Sequence, residues 1–208
     1  TAVDDTGAPP TPADTDPPPP SYDWYDGTFE PPAPDTALFP SGVQAGDPAH
    51  DSIVLSVRTT AGTLELVVVL QQADRYRFVA ETSLEAGALG HQVLLTDLEP
   101  GQRYRWAVRD GDRWSALGRF RTAPALDALP VLTFGATSCL GGNQPWPELS
   151  WAAAQDLDLF VFLGDTVYAD WGPAEPLANK WRDAMAQTGM RELTASTGIV
   201  ATWDDHEV

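Results

Sequence analysis

The sequence has a single cysteine, Cys139, so no internal disulfide can form and thiol content leaves the compartment open. No lysine or arginine occurs before Arg58, while that same segment carries ten acidic residues. Over the whole chain 30 acids stand against 12 bases, a formal charge of −18. Such a surface repels phosphate backbones and excludes nucleic-acid binding through a basic face. No apolar run approaches the roughly 18 residues that would suggest a membrane span. A basic-then-apolar export signal is also missing, although a mature exported protein would look the same. The C-terminal region has no GxSxG elbow, and no GxGxxG or Walker loop follows its first strand. Serine-hydrolase and nucleotide-binding chemistries of those kinds are therefore disfavoured.

What is present divides into three textures. Residues 1–36 are rich in Pro, Asp, Thr and Gly and lack apolar periodicity. They bury too little to offset ordering entropy and read as a disordered acidic leader. Its prolines favour an extended tether, of the kind expected behind an export signal. "SYDWY" within it reads as scattered linker aromatics rather than a docking patch. Residues 37–124 contain short runs such as "DSIVLSVRT", "TLELVVVLQ" and "QRYRWAVRD", separated by "AGD", "TAG", "EPG" and "DGD". Regular short strands with turn punctuation predict an antiparallel sandwich of fibronectin III-like type. "LTDLEPGQRYRW" predicts a tyrosine corner, with a phenol anchoring the turn to backbone. His50 and His91 read as solvated loop histidines.

From residue 129 the order is strand, helix, strand, helix, strand: "PVLTFGATS", "WPELSWAAAQ", "LDLFVFLGD", "PAEPLANKWRDAMAQTG" and "GIVATWDD". Gly189 is placed just past the second helix. Near-continuous apolar strands alternating with helices predict a parallel α/β layer, with the first strand buried. Its strands fall at residues 131–138, 157–164 and 199–203.

Each strand ends in polar residues: Ser138-Cys139, Gly164-Asp165 and Asp204-Asp205-His206. Ligands bind at the carboxyl ends of strands in such sheets, so the three ends predict one crevice. Thiolate, carboxylate, phenolate and imidazole are metal ligands when deprotonated. Tyr168 lies three residues after Asp165 and can reach the same centre. Taken singly, Cys139 reads as a buried thiol, Gly-Asp as a turn and "DDHE" as a helix start. Those readings do not explain why all three fall on consecutive strand ends.

"SGVQAGDPAHDSIVLSVRT", "TSC", "FVFLGDTVYAD" and "ATWDDHEV" resemble the successive signatures of PhoD-type alkaline phosphatases, in the calcineurin-like metallophosphoesterase superfamily. The resemblance runs from Phe39 to Val208. It implies an exported hydrolase of phosphate mono- and diesters, with a β domain ahead of an α/β sandwich. It implies that Cys139, Asp165 and Tyr168 ligate Fe3+, that Asp165 bridges to calcium, that Asp205 approaches the second metal, and that His206 faces the phosphate of a small phosphate-ester substrate. Catalysis would then rest on His206 and Asp165. The family pattern continues past Val208, so residues 129–208 are expected to form about half of the catalytic sandwich and to be inactive alone. The competing reading is an extracellular binding or adhesion module whose α/β remnant is degenerate.

Overall fold

A computed structural model describes residues 23–87, 90–141, 144–170 and 176–207. Most of the leader, residues 1–22, and the start of the second predicted helix lie outside them. The first part of the chain forms β1 (Tyr25–Asp26), β2 (Val43–Gly46), β3 (Ile53–Val57), β4 (Thr63–Gln72), β5 (Arg75–Gly87), β6 (Gly90–Leu95), β7 (Arg103–Asp110), β8 (Arg113–Trp114) and β9 (Gly118–Arg121). Among themselves these strands pair antiparallel. One layer is built on β4 between β5 and β7, the other on β3 between β2 and β6, and the far end of β5 reaches β6.

The period of two explains the core. Leu64, Leu66, Val68 and Leu70 fall on one face of β4 and are buried. They share a core with Val43 of β2, Ile53, Leu55 and Val57 of β3, and Trp106 of β7. Gly118 stands opposite Trp106 because a Cβ there would lie 2.2 Å from the indole Nε1. Buried Tyr104 makes the expected corner: its hydroxyl accepts the Glu99 N–H at 2.8 Å. Burial pushes this phenol up to about 12.

Residues 23–36 depart from the expected unstructured leader. Tyr25 and Asp26 add a short strand to β5, Tyr25 stacks on Tyr76 at 5.5 Å, and Arg75 lies over the Trp24 ring at 4.4 Å. Arg105 pairs with Glu30 at 2.6 Å. Ring, cation–π and ionic contacts together offset an ordering cost that composition alone does not cover. His91 also differs from expectation. It is 0% exposed, with Nε2 2.7 Å from the Gly62 carbonyl oxygen, because the alternation of β6 turns it inward. His50 stays partly exposed, 3.7 Å from Asp51.

The second part forms β10 (Phe134–Thr137), α1 (Pro147–Ala153), β11 (Leu159–Leu163), α2 (Leu177–Met185), α3 (Thr188–Ser196), β12 (Gly198–Thr202) and a 3₁₀ turn, Asp205–Glu207. β10, β11 and β12 are parallel neighbours. β12 then pairs parallel with β2 through Gly198↔Ala45 and Ile199↔Gly46. One sheet therefore crosses from the sandwich into the parallel layer, in the order β10-β11-β12-β2-β3-β6. A second core gathers Phe160 and Phe162 of β11 with Leu149, Ala184, Met190 and Leu193 of the three helices.

Two expectations fail here. Gly189 does not terminate a helix; it lies in the first turn of α3. A Cβ there would sit 2.0 Å from the Trp146 carbonyl oxygen, so glycine permits close packing rather than a stop. The first parallel strand is not buried: Phe134 is 67% exposed. β10 has a strand neighbour on one side only among the described residues, and the helices contribute to the core on the Phe160 and Phe162 face. No helix among the described residues is long and apolar enough to cross a membrane.

An ionic contact also ties the two parts. Arg121 of β9 meets Asp158, beside β11, at 2.6 Å, and the same carboxylate accepts the Thr133 N–H at 2.9 Å. Burial alone would raise the Asp158 carboxyl, but the Thr133 N–H and the Arg121 and Arg103 guanidiniums hold it below its ordinary range. A lowered folded-state pKa gives stability that is present above about pH 4 and is lost as pH falls through the folded value. Urea unfolding of Asp158→Asn should therefore show a deficit near neutrality that narrows below pH 4. Tyr104→Phe leaves the Glu99 N–H without its acceptor and should cost about 1–3 kcal/mol at any pH from 5 to 8. That loss would be read as a lower urea midpoint at constant m-value.

Candidate functional site

Parallel pairing carries the three strand ends to one edge. Thr137 is level with Phe162, and Leu163 with Thr202, so the turns after β10, β11 and β12 lie side by side. Main-chain bonds stitch them: Cys139 N–H donates to the Gly164 carbonyl at 3.2 Å, Leu140 N–H to that of Asp165 at 2.9 Å, and Ala169 N–H to that of His206 at 2.7 Å.

Two of the predicted site residues have left-handed backbones, Cys139 with φ 54° and Asp165 with φ 54°. Such non-glycine conformations cost energy and persist where surrounding contacts fix them. Gly164 precedes Asp165 at φ 100°, and a Cβ there would come within 2.7 Å of Asp204 Cβ. The glycine thus lets the β11 and β12 turns touch.

Ligand atoms of Asp165, Asp205 and His206 all lie within 4.8 Å of one another. Cys139 Sγ is 3.5 Å from Asp165 Oδ2. Cys139 is exposed, not the buried thiol that a lone cysteine suggests. Asp165 is 8% exposed, yet among the described residues its carboxylate makes only long contacts, 3.5 Å to Cys139 and 3.4 Å from the His206 N–H. A carboxylate so buried and so weakly bonded is costly without a cation. The Tyr168 ring stacks on the His206 ring at 4.1 Å. Partial burial, followed by the neighbouring Cys139 and Asp165, pushes the Tyr168 phenol up, so it stays protonated unless a cation is placed beside it. All five residues singled out from sequence are thus gathered at one edge.

Three further residues were missed by sequence reasoning. Asp170 Oδ1 lies 2.8 Å from His206 Nδ1, and this hydrogen bond raises the His206 imidazole above its ordinary value. Glu207, read only as one acid of "DDHE", is buried and accepts the N–H groups of Asp165, Thr166, Val167 and Asp204. Burial alone would raise this carboxyl, and the four donors more than reverse it, holding it below the ordinary range. Lys180, distant in sequence, is buried and donates to the Tyr168 carbonyl at 3.1 Å.

Residues 27–124 match the family described as PhoD-like phosphatase, N-terminal domain. Over 206 residues the chain is 28% identical to alkaline phosphatase D of Bacillus subtilis (strain 168), a match taking in 82% of this chain and 35% of that protein. A solved structure of PhoD superposes on 84% of this chain and 40% of its own, with TM-score 0.73 and 27% identity. The chain is a relative of the PhoD-type alkaline phosphatases. It spans little more than a third of the length of the curated PhoD relative, and the match extends beyond the N-terminal domain to include strand ends of the parallel layer.

The Asp170 contact makes a measurable statement about this PhoD relative. In the metal-free protein, NMR titration should find His206 above the usual histidine range, and Asp170→Asn should return it toward that range. The stability the pair supplies is present at low pH and is lost as pH rises through the folded-state value of His206.

Proposed function

We propose that this chain carries part of the active centre of an exported, metal-dependent phosphoesterase that hydrolyses small phosphate mono- or diesters. The β part is then a fibronectin III-like domain preceding the first half of a metallophosphoesterase sandwich. The observation that carries the reading is the buried, under-bonded Asp165 carboxylate, surrounded by Cys139, Asp205 and His206 at one sheet edge. Kinship with alkaline phosphatase D supports the reaction class.

The donor set fits Fe3+ and calcium. Cys139 and Tyr168 offer a thiolate and a phenolate to the trivalent ion, and Asp165 and Asp205 offer hard carboxylate oxygens to both. Ions held by these residues would supply Lewis acidity toward a phosphoryl oxygen and a lowered pKa for water at the site. Asp165, whose carboxylate lies close to both Cys139 and the Asp205–His206 pair, would be the ligand common to the site. His206 presents Nδ1 to Asp170, which leaves Nε2 for the phosphate. With its pKa raised, the imidazole retains a proton further into the neutral range and can donate it to the leaving oxygen.

Asp204 offers a control beside the site. Its Oδ1 accepts the Asp205 N–H at 3.0 Å, so it caps the 3₁₀ turn and is no first choice as a ligand. In the full-length enzyme, Asp165→Asn should lose bound iron and calcium and nearly all phosphatase activity. Asp204→Asn should keep most of the metal and lose roughly 10- to 100-fold in turnover, the scale of changes to residues behind a ligand shell. Elemental analysis and phosphate release would be measured on both variants. A full metal complement in Asp165→Asn would sink the assignment.

A further inference from the structure

Glu207 holds a position unlike that of its acidic neighbours. It is 6% exposed and among the described residues its carboxylate meets only main-chain donors. Oε1 accepts from Thr166 at 2.6 Å and Val167 at 3.1 Å; Oε2 accepts from Asp165 at 3.0 Å and Asp204 at 2.9 Å. Three of these donors are successive N–H groups in the turn after β11. Convergent successive N–H groups form an anion-binding concavity, filled here by a side chain from the neighbouring turn. The fourth donor lies in that neighbouring turn itself. A single carboxylate therefore fixes the turn that presents Asp165 and Tyr168 against the turn that presents Asp205 and His206.

Chemistry makes glutamate specific at this position. An ionised carboxylate is acceptor-only with about four lone-pair directions, enough for four donors. Glutamine replaces one oxygen with an NH2 group, which would face N–H groups that need an acceptor. Aspartate keeps the charge but retracts it by one methylene. The Asp165 N–H bond also bears on the left-handed backbone of that residue, which sets where its carboxylate points.

We propose that Glu207 is a positioning residue: by binding four main-chain N–H groups it sets the spacing between Asp165 and the Asp205–His206 pair, and with it the affinity of the metal centre. This rests on the metal-site reading given above. It assigns Glu207 no contact with metal or substrate.

The test uses the metal-free protein titrated separately with Fe3+ and Ca2+, comparing wild type, Glu207→Gln and Asp165→Asn. Glu207→Gln should weaken metal binding roughly 10- to 100-fold at temperatures where near-UV circular dichroism shows it folded. Amide exchange of Asp165, Thr166, Val167 and Asp204 should accelerate, while that of Val68 and Trp106 in the sandwich stays unchanged. At saturating Fe3+, the phenolate-to-iron absorption should move in wavelength. A role confined to stability would lower its amplitude only, and that result overturns the proposal. Wild-type affinity in Glu207→Gln, with affinity lost in Asp165→Asn, overturns the proposal and leaves the metal site standing. Wild-type affinity in Asp165→Asn removes the metal site and this inference with it. Should Glu207→Gln not fold, Glu207→Asp takes its place, with the same shift in wavelength expected and an unshifted band at wild-type affinity counting against the role.

Discussion

Parallel strands end on the same edge of a sheet, and the site depends on β10, β11 and β12 keeping that relation. Their pairing leaves no choice about where Cys139, Asp165 and His206 go, because each follows its strand by only a few residues. The relation is anchored outside the α/β layer. β12 pairs with β2, whose Val43 and Ala45 are fully buried in the sandwich core. The site edge is thus continuous in main-chain hydrogen bonds with the antiparallel sandwich. The Arg121–Asp158 pair adds a side-chain tie at the start of β11.

Bringing the strand ends together is not sufficient to build a site, since turns are free to splay. Here they are closed by contacts of atomic closeness. Gly164 has no Cβ, which lets Asp204 approach, and the carboxylate of Glu207 then reaches across to three consecutive N–H groups. The left-handed backbones of Cys139 and Asp165 are held within this frame. Backbone strain of this kind is stable only where neighbours over-determine it. The cross-turn bonds from Cys139 and Leu140 to Gly164 and Asp165 supply that condition.

Sequence made the strand ends legible because their signal is local: an apolar run, then a chemistry-bearing residue. Tyr104 was legible for the same reason, since its turn and strand are contiguous. What stayed hidden depends on partners distant in the chain. Gly189 carries a helix-stop signal locally, and only the Trp146 carbonyl shows that closeness is its purpose. Trp24 and Tyr25 sit in a polar, Pro-rich leader, and only Arg75 and Tyr76 give them a surface. Glu207 looks like any acid in a charged run. Nothing in "DDHE" distinguishes the acid that turns inward from the two that precede it. The exposure of Phe134 was hidden too, because apolar composition reports that a strand seeks cover, not whether a layer lies over it.

The acids around the site sort by what already satisfies them. Glu207 is satisfied by four amides, Asp204 caps the Asp205 N–H, and Asp170 binds His206. Each of these charges is absorbed by the fold. Asp165 is different: it is almost as buried as Glu207 yet among the described residues has only two long contacts, one of them to a thiol. Four amides converge on the Glu207 carboxylate, while that of Asp165, 42 residues away in the chain but adjacent in space, receives one amide at 3.4 Å. Burial with so little internal bonding favours a cation beside the carboxylate. Asp205, Cys139 and Tyr168 gather further possible ligand atoms around the same point. One multivalent cation can be bound by all of these groups at once.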